Sequence, residues 1–339
     1  MITHPWRPGE PHAHHPATGS IGGEFDAAER TVVADRLAKR FGAFVAVDQV
    51  TFDVGRGEIF GFLGPNGAGK TTTIKMLTGL YAPSSGRATV AGIDIATGVR
   101  ALKRRIGYMS QLFSLYADLT VEENIAFFSG LYGVSRARRP ERRDWVLEMA
   151  GLTEHRRRLT GELPLGWKQR LALGCAVLHE PAVLFLDEPT SGVDPIARRQ
   201  FWELIDQLAA QGTTVFVSTH YMEEAEYCHR LALMNRGRII ALDRPGALRA
   251  GDHEPILELE TDNTPRAVEV LKAQPGVVEA AMFGRAIHVT LTDASDAEPR
   301  LRHALGEQGI RMRALSRVPP SLEDVFVARV RAAGGAVID

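Results

Sequence analysis

The residues best suited to chemistry form one glycine-rich segment, made up of Gly64, Pro65, Asn66, Gly67, Ala68, Gly69, Lys70, Thr71 and Thr72. An apolar run at 59–63 precedes this segment and predicts a buried strand, and residues 73–77 predict a helix. Strand, glycine loop and helix is the context that a phosphate-binding loop requires, because backbone N–H groups and the positive helix end then face one concavity. Lys70 is placed to reach the β- and γ-phosphates of a nucleotide, and the Thr71 hydroxyl to bind Mg²⁺. A glycine-rich turn that binds nothing is the disfavoured alternative.

Three other polar residues that suit nucleotide hydrolysis each follow an apolar run. Asp187 and Glu188 end the run at 183–188, and His220 ends the run at 213–220. Continuous apolar strands separated by helices indicate a parallel sheet covered on both faces, whose ligands lie at the carboxyl ends of the strands. Asp187 suits Mg²⁺ through water, and Glu188 suits general base work on the attacking water. His220 could contact the γ-phosphate or hold Glu188, although a lone histidine after a strand is usually structural. Asp187, Glu188, His220 and the glycine loop all follow predicted strands, so the sequence predicts that they share one site at the carboxyl ends of those strands.

The composition narrows the class of protein. The chain has 339 residues, of which 45% are hydrophobic and 24% are charged, which predicts two domains or one large domain with an appendage. The net charge of −1 provides no basic field for a nucleic acid partner. Cys175 and Cys228 are too isolated for a disulfide framework or a zinc site, and they fit a reducing cytosolic setting. No apolar run reaches the length of a bilayer span, and no secretion signal is expected.

Composition and periodicity divide the chain into a disordered tail, a main domain, a linker and a C-terminal accessory domain, at residues 1–28, 29–245, 246–254 and 255–339. Residues from about 113 to 175 predict a helical subdomain within the main domain. The accessory domain has the strand and helix order of the split βαβ, ferredoxin-like pattern. It carries no glycine loop, metal cluster or catalytic pair, which favours a packing or regulatory role.

Together these residues resemble the ATP-binding subunits of ABC transporters, most closely the single-domain ATPases of ABC-2-type and drug exporters. The resemblance is close over about residues 31–245 and loose beyond them. It implies an α/β fold: a P-loop NTPase core with a RecA-like parallel sheet, an antiparallel β subdomain and a helical subdomain, followed by the small α+β appendage.

The resemblance also assigns roles to residues. The glycine segment corresponds to the Walker A motif, residues 183–187 to Walker B, and Gln111 to the Q-loop glutamine. The implied catalytic residues are Glu188, His220 and Lys70, and the implied Mg²⁺ set is Thr71, Gln111 and Asp187. The implied D-loop comprises Ser191, Gly192, Val193 and Asp194. Gln111 would link the metal site to the helical subdomain, which would face a membrane partner.

An aromatic residue ahead of the glycine loop could stack on adenine. From the bare sequence, Phe41 is more simply a core phenylalanine. The resemblance reverses this preference, because the family's aromatic adenine-stacking position falls on Phe41.

One motif departs from the family pattern. The signature sequence normally reads Leu-Ser-Gly-Gly-Gln, and here its positions are occupied by Leu163, Pro164, Leu165, Gly166 and Trp167. Proline replaces the serine that would bond the γ-phosphate bound by the partner subunit, and Leu165 replaces a glycine that allows close backbone approach. Proline is compatible with a helix start, so the remaining backbone N–H groups could still bind an anion. The site formed with the partner subunit would then be weakened and not lost.

The resemblance implies an ATPase that converts ATP and water to ADP and phosphate and drives export through a separate permease. Two subunits, expected to be two copies of this chain, would clasp MgATP between them at the cytoplasmic face of the membrane, with no nucleic acid partner. Two alternatives stay open: a non-transport ABC ATPase on ribosomes or DNA, and a binding-only regulatory cassette. The first usually has two cassettes or long coiled-coil insertions with a basic surface, and neither is visible here. A small-molecule kinase is disfavoured because it would not need the acidic, D-loop and histidine series.

Overall fold

The computed structural model describes residues 30–111, 115–251 and 253–334. The chain divides between Leu242 and Asp243 into two compact parts, called here the N-terminal unit and the C-terminal unit. The predicted disordered tail at 1–28 lies outside the described residues, as does the start of the predicted helical subdomain, at residues 113 and 114.

The N-terminal unit contains seventeen of the described helices and strands, with two short 3₁₀ turns at Thr153–His155 and Thr160–Glu162. In chain order they are β1 (Arg30–Phe41), β2 (Phe44–Gly55), β3 (Ile59–Leu63), α1 (Lys70–Leu77), β4 (Ser85–Val90), β5 (Ile93–Asp94), α2 (Val99–Leu102), β6 (Ile106–Met109), α3 (Val121–Leu131), α4 (Arg139–Met149), α5 (Leu165–Ala176), β7 (Val183–Asp187), α6 (Pro195–Ala210), β8 (Thr214–Thr219), α7 (Met222–Ala225), β9 (Arg230–Asn235) and β10 (Arg238–Asp243).

The central sheet has the strand order β10-β9-β3-β8-β7-β6. The neighbouring strands from β9 to β6 are paired in parallel, which confirms the predicted parallel sheet. Every residue of β3, β7 and β8 is buried, which explains why these strands are continuous apolar runs. Leu63 pairs with Thr219, and Asp187 pairs with Ser218. The three strands therefore end level at one edge of the sheet, and the loops that follow them share that edge.

A smaller antiparallel sheet, in the order β2-β1-β4-β5, packs against the central sheet. Phe52 of β2 lies among aromatic side chains of the central strands, with ring centroids 5.5 Å from Phe60 and 5.3 Å from Phe62. These rings belong to one buried apolar cluster that also includes residues of α1. The strand β3 and the helix α1 are therefore anchored on both sides of the loop that joins them.

Helices α3, α4 and α5 form the helical subdomain around their own apolar core, which includes Val121, Ile125, Val146 and Leu171. Thr120 caps α3 in a capping box, in which its hydroxyl accepts from the backbone N–H of Glu123 and the Glu123 carboxylate accepts from the backbone N–H of Thr120. The separate core makes this subdomain a distinct packing layer.

The C-terminal unit contains α8 (Pro245–Ala250), β11 (Ile256–Thr261), α9 (Thr264–Lys272), β12 (Val277–Phe283), β13 (Ala286–Leu291), α10 (Ala297–Glu307), β14 (Met312–Val318) and α11 (Leu322–Ala332). Its antiparallel sheet has the order β12-β13-β11-β14, with α9 and α10 packed on the face that presents Leu257, Leu259, Ile287 and Val289. This is the strand order of the split βαβ pattern.

Part of the segment predicted as a linker, 246–254, is helical. Helix α8 begins at Pro245, which fits the first turn of a helix because its missing N–H has no helical partner there. Its Leu248 side chain is buried, and this burial stabilises a helix that is otherwise too short to be stable. Within the residues that the structure describes, no helix combines the length and the apolar character that are needed to cross a bilayer.

Candidate functional site

The glycine-rich segment forms a tight loop between β3 and α1. Gly69 is the N-cap of α1 with a φ of 103°, and a Cβ atom there would lie 2.7 Å from the backbone oxygen of Ala46. Only glycine fits both this conformation and this close approach. No side chain among the described residues caps α1, so the backbone N–H groups of its first turn can bind an anion.

The Lys70 side chain folds back onto its own loop. Its ammonium donates hydrogen bonds to the carbonyls of Gly64, at 2.7 Å, and Pro65, at 3.1 Å, and lies 3.5 Å from Glu188 Oε1. Burial lowers the pKa of Lys70, and the nearby Glu188 carboxylate acts in the opposite direction. A phosphate group in the loop can take over these contacts, because it offers the same ammonium a stronger acceptor.

The loop forms one wall of an open cleft with a volume of about 340 Å³. This volume is within the range of small-molecule sites, about 300–1,000 Å³. The residues that line the cleft are Phe44, Ala46, Asn66, Gly67, Ala68, Gly69, Lys70, Thr71, Thr72, Gln111 and Glu188. The cleft therefore joins the loop to the acidic residue after β7 and to the glutamine after β6.

Asp187 lies behind the cleft at the end of β7. Its Oδ1 atom accepts hydrogen bonds from the hydroxyls of Thr71, at 2.9 Å, and Ser218, at 2.7 Å. Burial raises the pKa of Asp187, which these hydrogen bonds oppose. The hydroxyl and the carboxylate form the kind of hard oxygen pair that Mg²⁺ prefers, and the bound cation would offset the cost of burying the charge.

Glu188 is held in an unusual backbone conformation with a φ of 49°, which is uncommon for a residue other than glycine. Its N–H donates to the carbonyl oxygen of Ser218 at 3.1 Å and to the Ser218 hydroxyl at 3.0 Å. The strained backbone directs the buried side chain toward the cleft, where such strain is often associated with function.

Three nitrogen groups surround the Glu188 carboxylate. Lys70 Nζ lies 3.5 Å from Oε1, the Gln111 amide donates to Oε2 at 3.0 Å, and His220 Nδ1 lies 3.4 Å from Oε2. The structure therefore brings Lys70, Gln111, Glu188 and His220 together. Gln111 contacts Glu188 through its amide nitrogen, whereas the metal role implied for it would use the amide oxygen.

The start of α5 carries the predicted signature residues, which are Leu163, Pro164, Leu165, Gly166 and Trp167. Pro164 is the N-cap, and its carbonyl accepts from the backbone of the first turn. Leu165 is 39% exposed, and a Cβ atom on Gly166 would lie 2.7 Å from Cβ of Ala197 in α6. Gly166 therefore allows α5 and α6 to pack closely within one chain, and none of the described residues that line the cleft belongs to this segment.

The predicted D-loop, 191–194, forms the turn between Glu188 and α6. Ser191 N–H donates to the carbonyl of Glu188 at 3.3 Å, and Gly192 has a φ of 75°. Val193 is buried, and the Asp194 carboxylate caps α6 by accepting from two backbone N–H groups. Asp194 thus fixes the start of α6 directly after the turn.

Two phenylalanines flank the turn between β1 and β2 and occupy different surroundings. Phe41 packs edge-to-face on Tyr81, with centroids 5.6 Å apart, and the Lys39 ammonium lies 5.1 Å from its ring. Phe44 is 65% exposed and lines the cleft, whereas Phe41 does not. No motif marks Phe44 in the sequence, although an aromatic residue three positions from Phe41 is a visible signal. No motif marks Ser218 either, because only the strand pairing places it beside Asp187.

Two families match separate parts of the chain. Residues 47–191 match the family described as ABC transporter, and residues 247–330 match the family described as ATP-binding protein DrrA1-3-like, C-terminal domain. These two regions lie on either side of the boundary between the two units.

Similar curated proteins and solved structures are also ATP-binding proteins, most of them of ABC transporters. The probable multidrug ABC transporter ATP-binding protein YbhF of Escherichia coli (strain K12) is 51% identical over 230 residues, which are 67% of this chain and 40% of YbhF. The daunorubicin resistance ATP-binding protein DrrA2 of Streptomyces coeruleorubidus is 37% identical over 301 residues, which are 87% of this chain and 94% of DrrA2. A solved ATP binding subunit of an ABC transporter is 32% identical with a TM-score of 0.60, and the match covers 65% of this chain and 92% of that one.

Proposed function

The chain belongs to the family of ABC transporter ATP-binding proteins, and on this premise we propose that it hydrolyses ATP to drive export through a separate membrane permease. The observation that carries the proposal is the buried Glu188 carboxylate at the wall of the phosphate-loop cleft, in contact with Lys70 and Gln111 and beside His220. A carboxylate in this place can reach a water that attacks a phosphate held by the loop.

The glycine loop is proposed to hold the phosphates of ATP. Backbone N–H groups at the start of α1 would bind the phosphate oxygens, with Lys70 reaching the terminal groups. In the structure, the Lys70 ammonium contacts two loop carbonyls and Glu188. Binding of ATP would move this ammonium onto phosphate and release the Glu188 carboxylate for work on water.

Mg²⁺ is the cofactor that fits the residues present. Thr71 and Asp187 would hold it, since their oxygen atoms are already 2.9 Å apart at the base of the loop, and Gln111, which lines the same cleft as Thr71, is proposed as the third residue of the set. The cation would neutralise charge on the β- and γ-phosphate oxygens. Rotation of the Gln111 amide would exchange its contact with Glu188 for a contact of its oxygen with the metal site.

Glu188 is proposed as the general base and His220 as the group that positions it. Proximity of the imidazole to Glu188 Oε2, at 3.4 Å, supports this division of roles. The strained backbone of Glu188 and its two bonds to Ser218 keep the carboxylate at the cleft. A base that is already oriented needs little rearrangement when water and phosphate are in place.

We propose that a second copy of the chain completes each site. The five signature residues line none of the cleft of their own chain, and Leu165 and Ile196 are exposed apolar side chains at the start of α5 and of α6. Backbone N–H groups at the start of α5 would face the phosphate bound by the other copy, without the serine contact that Pro164 removes. The turn at 191–194 would lie at the same interface.

The export role and the location at the cytoplasmic face of a membrane rest on the relatives. DrrA2 is named for daunorubicin resistance and YbhF for multidrug transport. The C-terminal match to a DrrA-like domain supports the same branch of the family. The chain spans 40% of the length of YbhF, so the remaining part of YbhF has no counterpart in this comparison.

The test is the substitution Glu188→Gln in the purified full-length chain, with Glu203→Gln on the exposed face of α6 as the matched control. We expect Glu188→Gln to lower kcat for phosphate release by about 10²- to 10⁴-fold because it removes the general base. The affinity for a fluorescent ATP analogue should stay within about threefold of wild type.

Two results would contradict the proposal. A wild-type chain that binds the analogue but releases no phosphate would indicate a binding-only regulatory cassette. A wild-type chain that sediments with ribosomes in a density gradient, rather than with membranes that contain a permease, would indicate the non-transport alternative.

A further inference from the structure

A buried carboxylate outside the cleft connects three segments of the site. Glu224, in the short helix α7, is 1% exposed. Its Oε1 atom accepts a hydrogen bond from the Thr190 hydroxyl and lies 3.4 Å from the guanidinium of Arg198, and its Oε2 atom accepts from the Thr219 hydroxyl at 2.6 Å. A carboxylate with so many partners in a buried place is a strong local constraint.

Each partner of Glu224 belongs to a different functional segment. Thr190 follows Glu188 by two residues, and Thr219 directly precedes His220. Arg198 is in the first turns of α6 and donates to the carbonyl of Val193 at 3.3 Å, within the turn at 191–194. Glu224 therefore joins the base, the histidine and the turn through one side chain.

The same residues are held together on their other sides. The Arg198 guanidinium lies 4.3 Å from the ring of Tyr221, and that ring lies 4.1 Å from the ring of His220. The N–H of Tyr221 donates to the Thr219 hydroxyl at 3.0 Å. The position of His220 relative to Glu188, 3.4 Å apart, thus depends on contacts that converge on Glu224.

We propose that Glu224 is a positioning residue for ATP hydrolysis, which fixes the Glu188, His220 and 191–194 segments relative to one another. This inference rests on the proposed function, because it assigns Glu224 to the hydrolysis at that site. Glu224 lines none of the cleft among the described residues, so its removal acts on the geometry of the reacting groups and not on the contacts that bind nucleotide. A small displacement of a base costs much more in kcat than in binding.

The experiment compares Glu224→Ala with Glu223→Ala in the purified full-length chain. Glu223 is the matched control, because it is the neighbouring glutamate of α7 and its side chain is exposed. We expect Glu224→Ala to lower kcat by roughly 10- to 100-fold, with KM and the affinity for a fluorescent ATP analogue within about threefold of wild type. Glu224→Gln, which keeps the shape and one acceptor oxygen, should recover part of kcat.

Thr219→Val and Thr190→Val provide a second route, since each removes one hydroxyl that Glu224 accepts and leaves the carboxylate in place. Each should lower kcat by several-fold, and Thr219→Val should add little to Glu224→Ala because the effects of substitutions within one hydrogen-bond network are not additive. A thermal melt shows whether Glu224→Ala folds. If it does not fold, the kcat values of the two valine variants test the positioning role in its place.

The outcomes separate this inference from the proposed function. Equal kcat values for Glu224→Ala and Glu223→Ala, or a raised KM with an unchanged kcat, would overturn the positioning role. If Glu224→Ala does not fold, wild-type kcat in both valine variants would overturn it as well. A wild-type chain without ATPase activity would instead overturn the proposed function, and the inference with it.

Discussion

Each of the two units contains a cluster of ionisable side chains, and the two clusters differ in whether their polar groups are available to bind a ligand. In the N-terminal unit, Lys70 and Glu188 contact each other at the wall of a cleft of about 340 Å³. In the C-terminal unit, the His288 ring, 6% exposed, contacts Asp324 at 3.0 Å and lies 3.5 Å from Glu258, beside a cavity of about 40 Å³. The first cluster has room for a ligand, and the second has room for only a few waters.

The partners of the two clusters explain the difference. Lys70 bonds to carbonyls of its own loop, and a phosphate can replace these acceptors. Asp324, by contrast, also forms the capping box of α11 with Ser321, and the His288 ring stacks on Phe283 with centroids 4.1 Å apart. The first arrangement leaves contacts that can be exchanged, whereas the second fastens α11 to the sheet. We therefore expect changes in the first cluster to affect turnover and changes in the second to affect stability.

Among the changes that test this contrast between the two clusters, the largest effect is expected from Lys70→Ala. The substitution removes the cation that would meet the β- and γ-phosphates, so kcat/KM for ATP should fall by about 10²- to 10³-fold. The temperature of unfolding should change little, because the remaining partners of Glu188 keep its carboxylate satisfied. Phosphate release and a thermal melt on the same sample check both statements. A variant that loses its fold together with its activity would break the contrast between the clusters.

The next largest effect is expected from His288→Ala in the C-terminal unit. It leaves the partly buried Asp324 carboxylate without its imidazole partner and opens a cavity against Phe283, which should lower the free energy of unfolding by about 2–3 kcal/mol. Denaturant titration measures this loss, with His303→Ala on the exposed face of α10 as the control. Phosphate release at a temperature where the variant is folded should match wild type. A wild-type stability, or a specific loss of kcat, would contradict the role assigned to this cluster.

The sequence made the N-terminal site predictable because its signals are local or depend on strand order. The glycine loop has a fixed spacing, and the buried runs before Asp187 and His220 define strands whose carboxyl ends must meet at one edge of a parallel sheet. Nothing local marks Glu224, which is one glutamate in a short acidic helix, because its importance comes from the nearby Thr219 hydroxyl together with the Thr190 hydroxyl and the Arg198 guanidinium, which are distant in the sequence.

The C-terminal unit shows the same limit. The sequence predicted the strand and helix order of this unit, but the burial of His288 in β13 depends on α11 covering that face, and α11 begins 34 positions later in the chain. Composition likewise predicted a linker at 246–254, where the structure has α8, because Gly246 and Pro245 suggest a turn when Leu248 is not known to be buried. The burial of His288 and the burial of Leu248 both depend on packing between elements that are not adjacent in the sequence.

The smallest expected effect concerns the two phenylalanines that flank the turn between β1 and β2, and it refines the comparison within the N-terminal unit. The family resemblance assigns adenine stacking to Phe41, whereas the exposed ring that lines the cleft is Phe44. If the ring in the cleft stacks on the base, Phe44→Ala should weaken binding of a fluorescent ATP analogue by about 3- to 10-fold, as expected for the loss of one aromatic contact.

Phe41→Ala is the matched control and should change the affinity less, because its ring already packs on Tyr81. Titrations of both variants against the analogue, with inorganic triphosphate as a competitor that lacks a base, separate stacking from phosphate binding. A larger loss for Phe41→Ala would return the adenine to the position that the family resemblance assigns, and would mean that the turn rearranges when nucleotide binds.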